Sequence, residues 1–361
     1  MKPIRILHVL NGLYNGGTES VIMNWYRNID TSKVQFDFLI RTNCNVFADE
    51  IEKLGGRVFI TPEYPKHYFK NKKETKKFFE EHMGEYAAIH VHGNSLLYVN
   101  VFNIAKKYGI SNRIYHSHSI STGNFVYRWL HQFNRLRIKK LATHYLACSE
   151  IAGRWGFGKV PFTVINNGVD VSKFKFDKAK RQQVRESLGL EDSFVCGHVG
   201  RFVPVKNHTF LIDVFKNLLQ KKADAKLLLI GNGDLKDEIK DRVNKMGLED
   251  KILFLDGTND IGALMQAMDV FLLPSKFEGL GIVAVEAQAS GLKVFVSDAV
   301  PKEVGLTENI CFLPIDDESI WVDEILDAHN HERKDESDSI VRSGYEIKEI
   351  AKTIENLYLN L

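Results

Sequence analysis

The stretch from Asp269 to Gly291 constrains the fold of this chain most, because a strand, a turn and a helix follow one another within it. Asp269-Val270-Phe271-Leu272-Leu273 is a short apolar run stopped by Pro274, the pattern of a strand buried on both faces of a parallel sheet. Gly279 and Gly281 then free the backbone for positive φ and for close approach of a ligand, and helical periodicity runs from them to a C-cap at Gly291. The first N–H groups of that helix lack partners within it and carry the positive end of its dipole, so the turn suits an anion such as phosphate. Glu278 stands at the mouth of this turn, and Glu286 lies eight residues on, roughly two helical turns away. Glu286 is a charge among Ile282, Val283, Ala284, Val285, Ala287 and Ala289, and a carboxylate in such company needs a partner, for which sugar or ribose hydroxyls are suited.

Glu278 and Glu286, with Gly279-Leu280-Gly281 between them and Ala287-Gln288-Ala289-Ser290-Gly291 after, resemble the E-x7-E signature of the retaining GT-B glycosyltransferases of family four. The resemblance covers nearly the whole chain. It implies an α/β fold of two Rossmann-like parallel-sheet domains facing across a cleft. It also implies Glu278 near the transferred sugar, the amides of Gly279, Leu280 and Gly281 on the diphosphate, and Glu286 on the ribose. Val164-Ile165-Asn166-Asn167-Gly168-Val169-Asp170 resembles the family's crossing point between domains. That sets an acceptor-side domain at 1–170 and a nucleotide-sugar domain at 171–344, with the helix 345–361 crossing back to the first.

The rest of the sequence repeats the strand and helix alternation of a parallel sheet. Ile4 to Leu10 reads as the first strand, followed by a loop with Gly12, Gly16 and Gly17 and a helix from about Glu19. The spacing is not G-x-G-x-x-G, which argues against a dinucleotide fold; the loop resembles the family's glycine loop, and Gly16 and Gly17 are assigned to donor binding on that ground. Val34 to Ile40, Arg57 to Ile60, Ala88 to His92 and Arg113 to His118 are the next strands. His90 with His92, and His116 with His118, sit two apart at the carboxyl ends of two strands, so each pair shares a face where open α/β sheets bind ligands. A structural role and a functional one weigh about equally there. The resemblance adds an active-site histidine near the transferred sugar; His118 takes that role, with His116 as the alternative.

In the second half, Phe194 to Gly200 reads as a strand, and Arg201 and Lys206 lie in the loop before a helix from about Thr209. Two cations in such a loop either clamp a diphosphate or decorate a surface turn. Gly200-Arg201 with Lys206-Asn207-His208 resembles the family's diphosphate-binding pair. Lys226 to Ile230, Ile252 to Leu255 and Val294 to Asp298 are further strands; the backbone at Asp256-Gly257-Thr258-Asn259 is placed near the base by the resemblance.

At 361 residues the chain has room for two cores, and no apolar stretch approaches the ~20 residues that span a bilayer. Residues 1–170 hold 23 Lys and Arg against 13 Asp and Glu, a balance of +10, while residues 171–361 hold 25 against 33, or −8. The basic half carries two cationic, aromatic segments, one over Lys66 to Phe79 and one from Phe125 through Arg128, Trp129, Phe133, Arg135, Arg137, Lys139 and Lys140. They suit peripheral contact with an anionic membrane, and no nucleic-acid module surrounds them. The first residues lead into a strand instead of a signal peptide, so the cytoplasm is expected. Cys44, Cys148, Cys196 and Cys311 have no metal-ligand spacing and are expected to be reduced core thiols. No Asp-x-Asp occurs to hold a divalent ion on a diphosphate, and neither metal nor other cofactor is expected.

The expected reaction is metal-independent transfer of a sugar from a nucleotide-diphosphate sugar, UDP-sugar foremost, to a glycan or lipid-linked acceptor. Retention is implied by the resemblance, and the setting is cell-surface polysaccharide assembly of the capsule or exopolysaccharide kind. A nucleotide-sugar 2-epimerase and a non-catalytic sugar-nucleotide-binding protein are the rival readings.

Overall fold

The computed structural model describes residues 2–14, 16–120, 124–257 and 260–361. The chain divides into two compact units, Met1–Gly168 with Ile347–Leu361 and Val169–Glu346.

The first unit holds seven strands: β1 Ile4–Val9, β2 Val34–Ile40, β3 Val58–Ile60, β4 Tyr86–Gly93, β5 Asn112–Ser117, β6 His144–Ala147 and β7 Thr163–Val164. They pair in parallel in the order β3-β2-β1-β4-β5-β6-β7. All seven residues of β2, Val-Gln-Phe-Asp-Phe-Leu-Ile, are buried, as a strand covered by helices on both faces must be. Its one charge, Asp37, is fully buried; desolvation alone would raise its carboxyl, yet hydrogen bonds from Arg5 and Arg57 hold it below the ordinary value. The terminal helix Ile347–Leu359 buries Ile347, Ile350, Ala351, Ile354 and Tyr358, a stripe at i, i+3, i+4, i+7 and i+11, in the same core as β1 and β2.

The second unit has six parallel strands: β8 Phe194–Val199, β9 Ala225–Ile230, β10 Ile252–Leu255, β11 Val270–Leu273, β12 Lys293–Ser297 and β13 Ile310–Leu313, in the order β10-β9-β8-β11-β12-β13. All of β11 is buried. In each sheet the winding reverses once, between β1 and β4 and between β8 and β11. Chain crossovers diverge at those points, leaving a crevice beyond the carboxyl ends of the strands.

Strand ends move by a residue or two from the sequence reading, with one consequence for function. His118 lies just past the end of β5, where its N–H still donates to Gly93 O at 3.0 Å. Of the four cysteines, only Cys148 and Cys196 are buried; Cys44 and Cys311 are half-buried, which corrects the expectation of four core thiols.

Candidate active site

In the second unit the reversal point gathers most of the residues singled out. After β8 the chain turns through Gly200 and Arg201 into a single 3-10 turn, Pro204–Lys206; Asn207 then takes the left-handed conformation (φ 58°) and the helix His208–Lys221 begins. A Cβ on Gly200 would lie 2.9 Å from His198 Nε2 and 3.3 Å from Lys206 Cδ, so a bare glycine lets the lysine stem lie across the turn. After β11, Lys276 N–H donates to Val205 O at 2.8 Å and ties the two loops together. Lys206 Nζ meets Glu278 Oε1 at 2.6 Å, and Ser275 Oγ donates to the same oxygen at 2.6 Å. Both charged side chains are mostly covered, at 17% and 12% exposure, so their attraction is far less screened than a surface pair's.

Lys206 is thus paired with Glu278, while Arg201 is exposed and its guanidinium has no hydrogen bond among the described residues. Ser275 was missed by sequence reasoning, and its signal was its place three residues before Glu278 in the same loop.

The helix that follows runs Ile282–Ala289, with Gly281 as N-cap at φ 86° and no side-chain cap. Gly281 and Gly291 take positive φ, whereas Gly279 does not, so the conformational argument holds for Gly281 alone. Glu286 projects from this otherwise apolar helix, half-buried, and among the described residues its carboxylate has neither hydrogen bond nor ion pair. Desolvation raises it to about 7. An acid in that state is poised to accept hydroxyl hydrogen bonds as a carboxylate or to donate one when protonated. Leu280 is buried and packs in the core cluster of the sheet. Of the base loop after β10, Asp256 pairs with Lys236 at 2.6 Å, while Thr258 and Asn259 lie outside the described residues.

In the first unit the helix Gly17–Asn28 starts with Gly16 as N-cap and, again, no capping side chain. A Cβ on Gly17 would meet nothing within 4 Å. Beside it, parallel register sets His8 opposite His90 and His92 opposite His116. With His118 these make a row of five buried imidazoles across β1, β4 and β5, and His8 is the member the sequence reading did not single out. His8 Nδ1 and His92 Nε2 are 2.9 Å apart, and His92 Nδ1 and His118 Nε2 are 2.8 Å apart. His90 Nδ1 meets Tyr358 OH of the terminal helix at 2.6 Å. Burial lowers all five, His8 and His118 to about 3, so the rings are neutral at physiological pH.

Neutrality makes the His8–His92–His118 chain directional. Each ring has one proton, and both nitrogens of His92 are engaged, so only two proton arrangements satisfy both contacts. In one, His92 donates to His118, which then carries its proton on Nδ1; in the other, His118 donates from Nε2 and leaves Nδ1 bare. His118 Nδ1 has no partner among the described residues. The nitrogens of His8, His90 and His92, and those of His92, His116 and His118, come within 4.8 Å of one another. A metal sits in the plane of each imidazole that holds it, however, and His90 stacks on His92 (4.1 Å, 26°) and His116 on His118 (4.2 Å, 16°). Face-to-face rings aim their lone pairs side by side instead of at one point, so neither trio fits a single ion.

Residues 180–310 match the family described as glycosyl transferases group 1. Over 98% of its length the chain is 33% identical to EpsF of Bacillus subtilis, a protein named as a glycosyltransferase, covering 96% of that relative. The chain belongs to the group 1 glycosyl transferases. Over 48% of this glycosyl transferase and 46% of the relative, it is 33% identical to an Escherichia coli UDP-Gal:alpha-D-GlcNAc-diphosphoundecaprenol alpha-1,3-galactosyltransferase. Its fold is that of Anabaena HepE, solved with UDP and glucose (TM-score 0.79, 22% identity, 99% of this chain and 100% of that one), which makes it a GT-B protein.

Proposed function

We propose that this glycosyl transferase moves a hexose from a UDP-sugar to a hydroxyl of a glycan or lipid-linked acceptor, with retention and without a metal, in the assembly of a cell-surface polysaccharide of the capsule or exopolysaccharide kind. The observation that carries this reading is the covered Lys206–Glu278–Ser275 cluster at the reversal point of the second sheet. It holds one cation and one carboxylate in balance until a diphosphate arrives. The diphosphate then takes Lys206 and Arg201, with the amides of Gly279, Leu280 and Gly281 and those of Gly16 and Gly17 completing its charge balance in place of an ion. Glu278, released from the lysine, lies by the sugar, where its charge stabilises an oxocarbenium-like centre. The bond from the anomeric carbon to the leaving phosphate oxygen breaks, the acceptor oxygen bonds to that carbon on the same face, and the acceptor proton passes to the phosphate. Glu286 binds the ribose, and His118 holds the transferred sugar through Nδ1. HepE's complexes with UDP, UDP-glucose and UDP with glucose, and the UDP-galactose donor in the name of the Escherichia coli relative, support the donor assignment.

The acceptor side is assigned to a lipid-linked glycan at the cytoplasmic membrane face. The helix Phe125–Leu141 leaves Phe125 at 83%, Trp129 at 62% and Leu136 at 85% exposure between Arg128, Arg135, Lys139 and Lys140, the composition of a helix that rests on anionic lipid. Among the described residues no helix is long and apolar enough to cross a membrane. Nucleotide release from UDP-, GDP- and ADP-sugars, with and without polyprenyl-diphosphate-linked sugars, tests the whole reading. Acceptor-dependent UDP release that Glu278→Gln lowers by roughly 10²-fold or more is the expected result. Full activity in that variant, or release of a free epimer with no acceptor, would refute it.

A further inference from the structure

The first unit holds a half-open cavity of about 350 Å³ beyond the carboxyl ends of β1, β2 and β4, walled by Asn11, Glu19, Arg41, Tyr64, Tyr98 and Tyr127 among others. Arg41 follows directly on β2. Its guanidinium carbon lies 4.1 Å from the ring centre of Tyr98 and 6.0 Å from that of Tyr64, and its Nε makes one long contact, 3.4 Å, to Leu10 O. Desolvation lowers its affinity for the proton, and the groups acting the other way are tyrosine hydroxyls.

Most other covered arginines are filled, Arg135 on the helix Phe125–Leu141 being the exception among the described residues. Arg5 and Arg57 share Asp37, Arg181 and Arg185 share Asp269, and Arg113 and Arg333 donate to main-chain carbonyls. Arg41 keeps both terminal nitrogens without an oxygen partner among the described residues, on an aromatic bed, at the edge of a cavity large enough for a sugar. A half-buried guanidinium in that state is a fork awaiting a carboxylate or phosphate. Glu19, on the wall of the same cavity, disfavours a second anion there and suits hydroxyl donors, while the tyrosine faces suit the C–H faces of a pyranose.

We propose that this cavity selects an acceptor sugar bearing an anionic substituent, phosphate or carboxylate, with Arg41 gripping the anion and Tyr98 holding the guanidinium flat. The proposal rests on the glycosyltransferase reading and names the class of acceptor. It is tested by NMR titration of the full chain, saturated with UDP so that the donor site is filled, with α-D-glucose 1-phosphate, D-glucuronate, D-glucose and inorganic phosphate. At least tenfold tighter binding of glucose 1-phosphate or glucuronate than of glucose is expected, and the tighter of the two tells a phosphate-linked acceptor from an acidic sugar. Arg41→Gln should bring both to the level of glucose while UDP affinity stays within twofold, and Arg41→Lys should recover part of the difference. Tyr98→Leu, which leaves the charge and removes its platform, should weaken the anionic sugars several-fold and leave glucose unchanged. Equal binding of glucose and the anionic sugars, indifference to Arg41→Gln, or inorganic phosphate as tight as glucose 1-phosphate would overturn the proposal. Failure of UDP itself to bind would count against the donor assignment instead.

Discussion

The reversal points of the two sheets solve the problem of polar groups at a buried strand end in opposite ways. In the first unit, five imidazoles are all driven neutral by burial, and three of them, His8, His92 and His118, are linked by hydrogen bonds. In the second, a lysine and a glutamate are locked together as an ion pair while a second glutamate is left unpaired among the described residues. A neutral row orients hydrogen bonds and responds little to a ligand's charge. A balanced pair with a spare acid is built to be broken by one. The contrast assigns orientation to the first unit and charge handling to the second.

Breaking the charged side should have the largest effect. On the proposed reading, Lys206→Met leaves Glu278 without its cation and the diphosphate with one counter-charge fewer, and kcat/KM should fall roughly 10²–10³-fold; a loss under threefold would remove Lys206 from charge handling. Next comes Glu286. Its carboxyl is raised by burial to about 7 from the ordinary 4.5, so between those values the folded state holds a proton that the unfolded state has released. Stability of the ligand-free protein should therefore decline by up to about 3 kcal/mol as pH rises through that window. Chemical denaturation at a series of pH values reads this slope, and Glu286→Gln should flatten it. On the neutral side, His92→Leu cuts the proton chain, and kcat should drop roughly tenfold, about 1.4 kcal/mol, with the donor KM unchanged. The ¹⁵N shifts of His118 should then report a tautomer mixture where the intact chain gives one form; a single unchanged tautomer would separate His118 from its neighbours. The smallest effect is an expected lack of one. With Glu286→Gln removing the acid near neutrality, the pH profile between 5 and 8 should show no histidine inflection, since burial holds His8 and His118 near 3.

The parallel sheets were legible because β11 is apolar throughout, β2 is apolar at five of its seven positions, and both are bounded by turn residues, a signal carried by the residues themselves. The pairing of Lys206 with Glu278 was not, since 72 residues separate them and only the adjacency of β8 and β11 brings their loops together. His8 escaped notice for the same reason. One histidine on a first strand is unremarkable until register sets it opposite His90, and nothing local in a sequence encodes the register of a parallel pair. Arg41 went unnoticed in the sequence because the absence of a partner is a property of surroundings that no single stretch contains.

The main-chain bond from Lys276 to Val205 has a practical consequence for redesign. Because it splices the two loops into one piece, exchanging either segment alone with that of a relative should misalign the other. Transplanted donor preference should therefore travel only as a paired cassette, 200–207 together with 274–281.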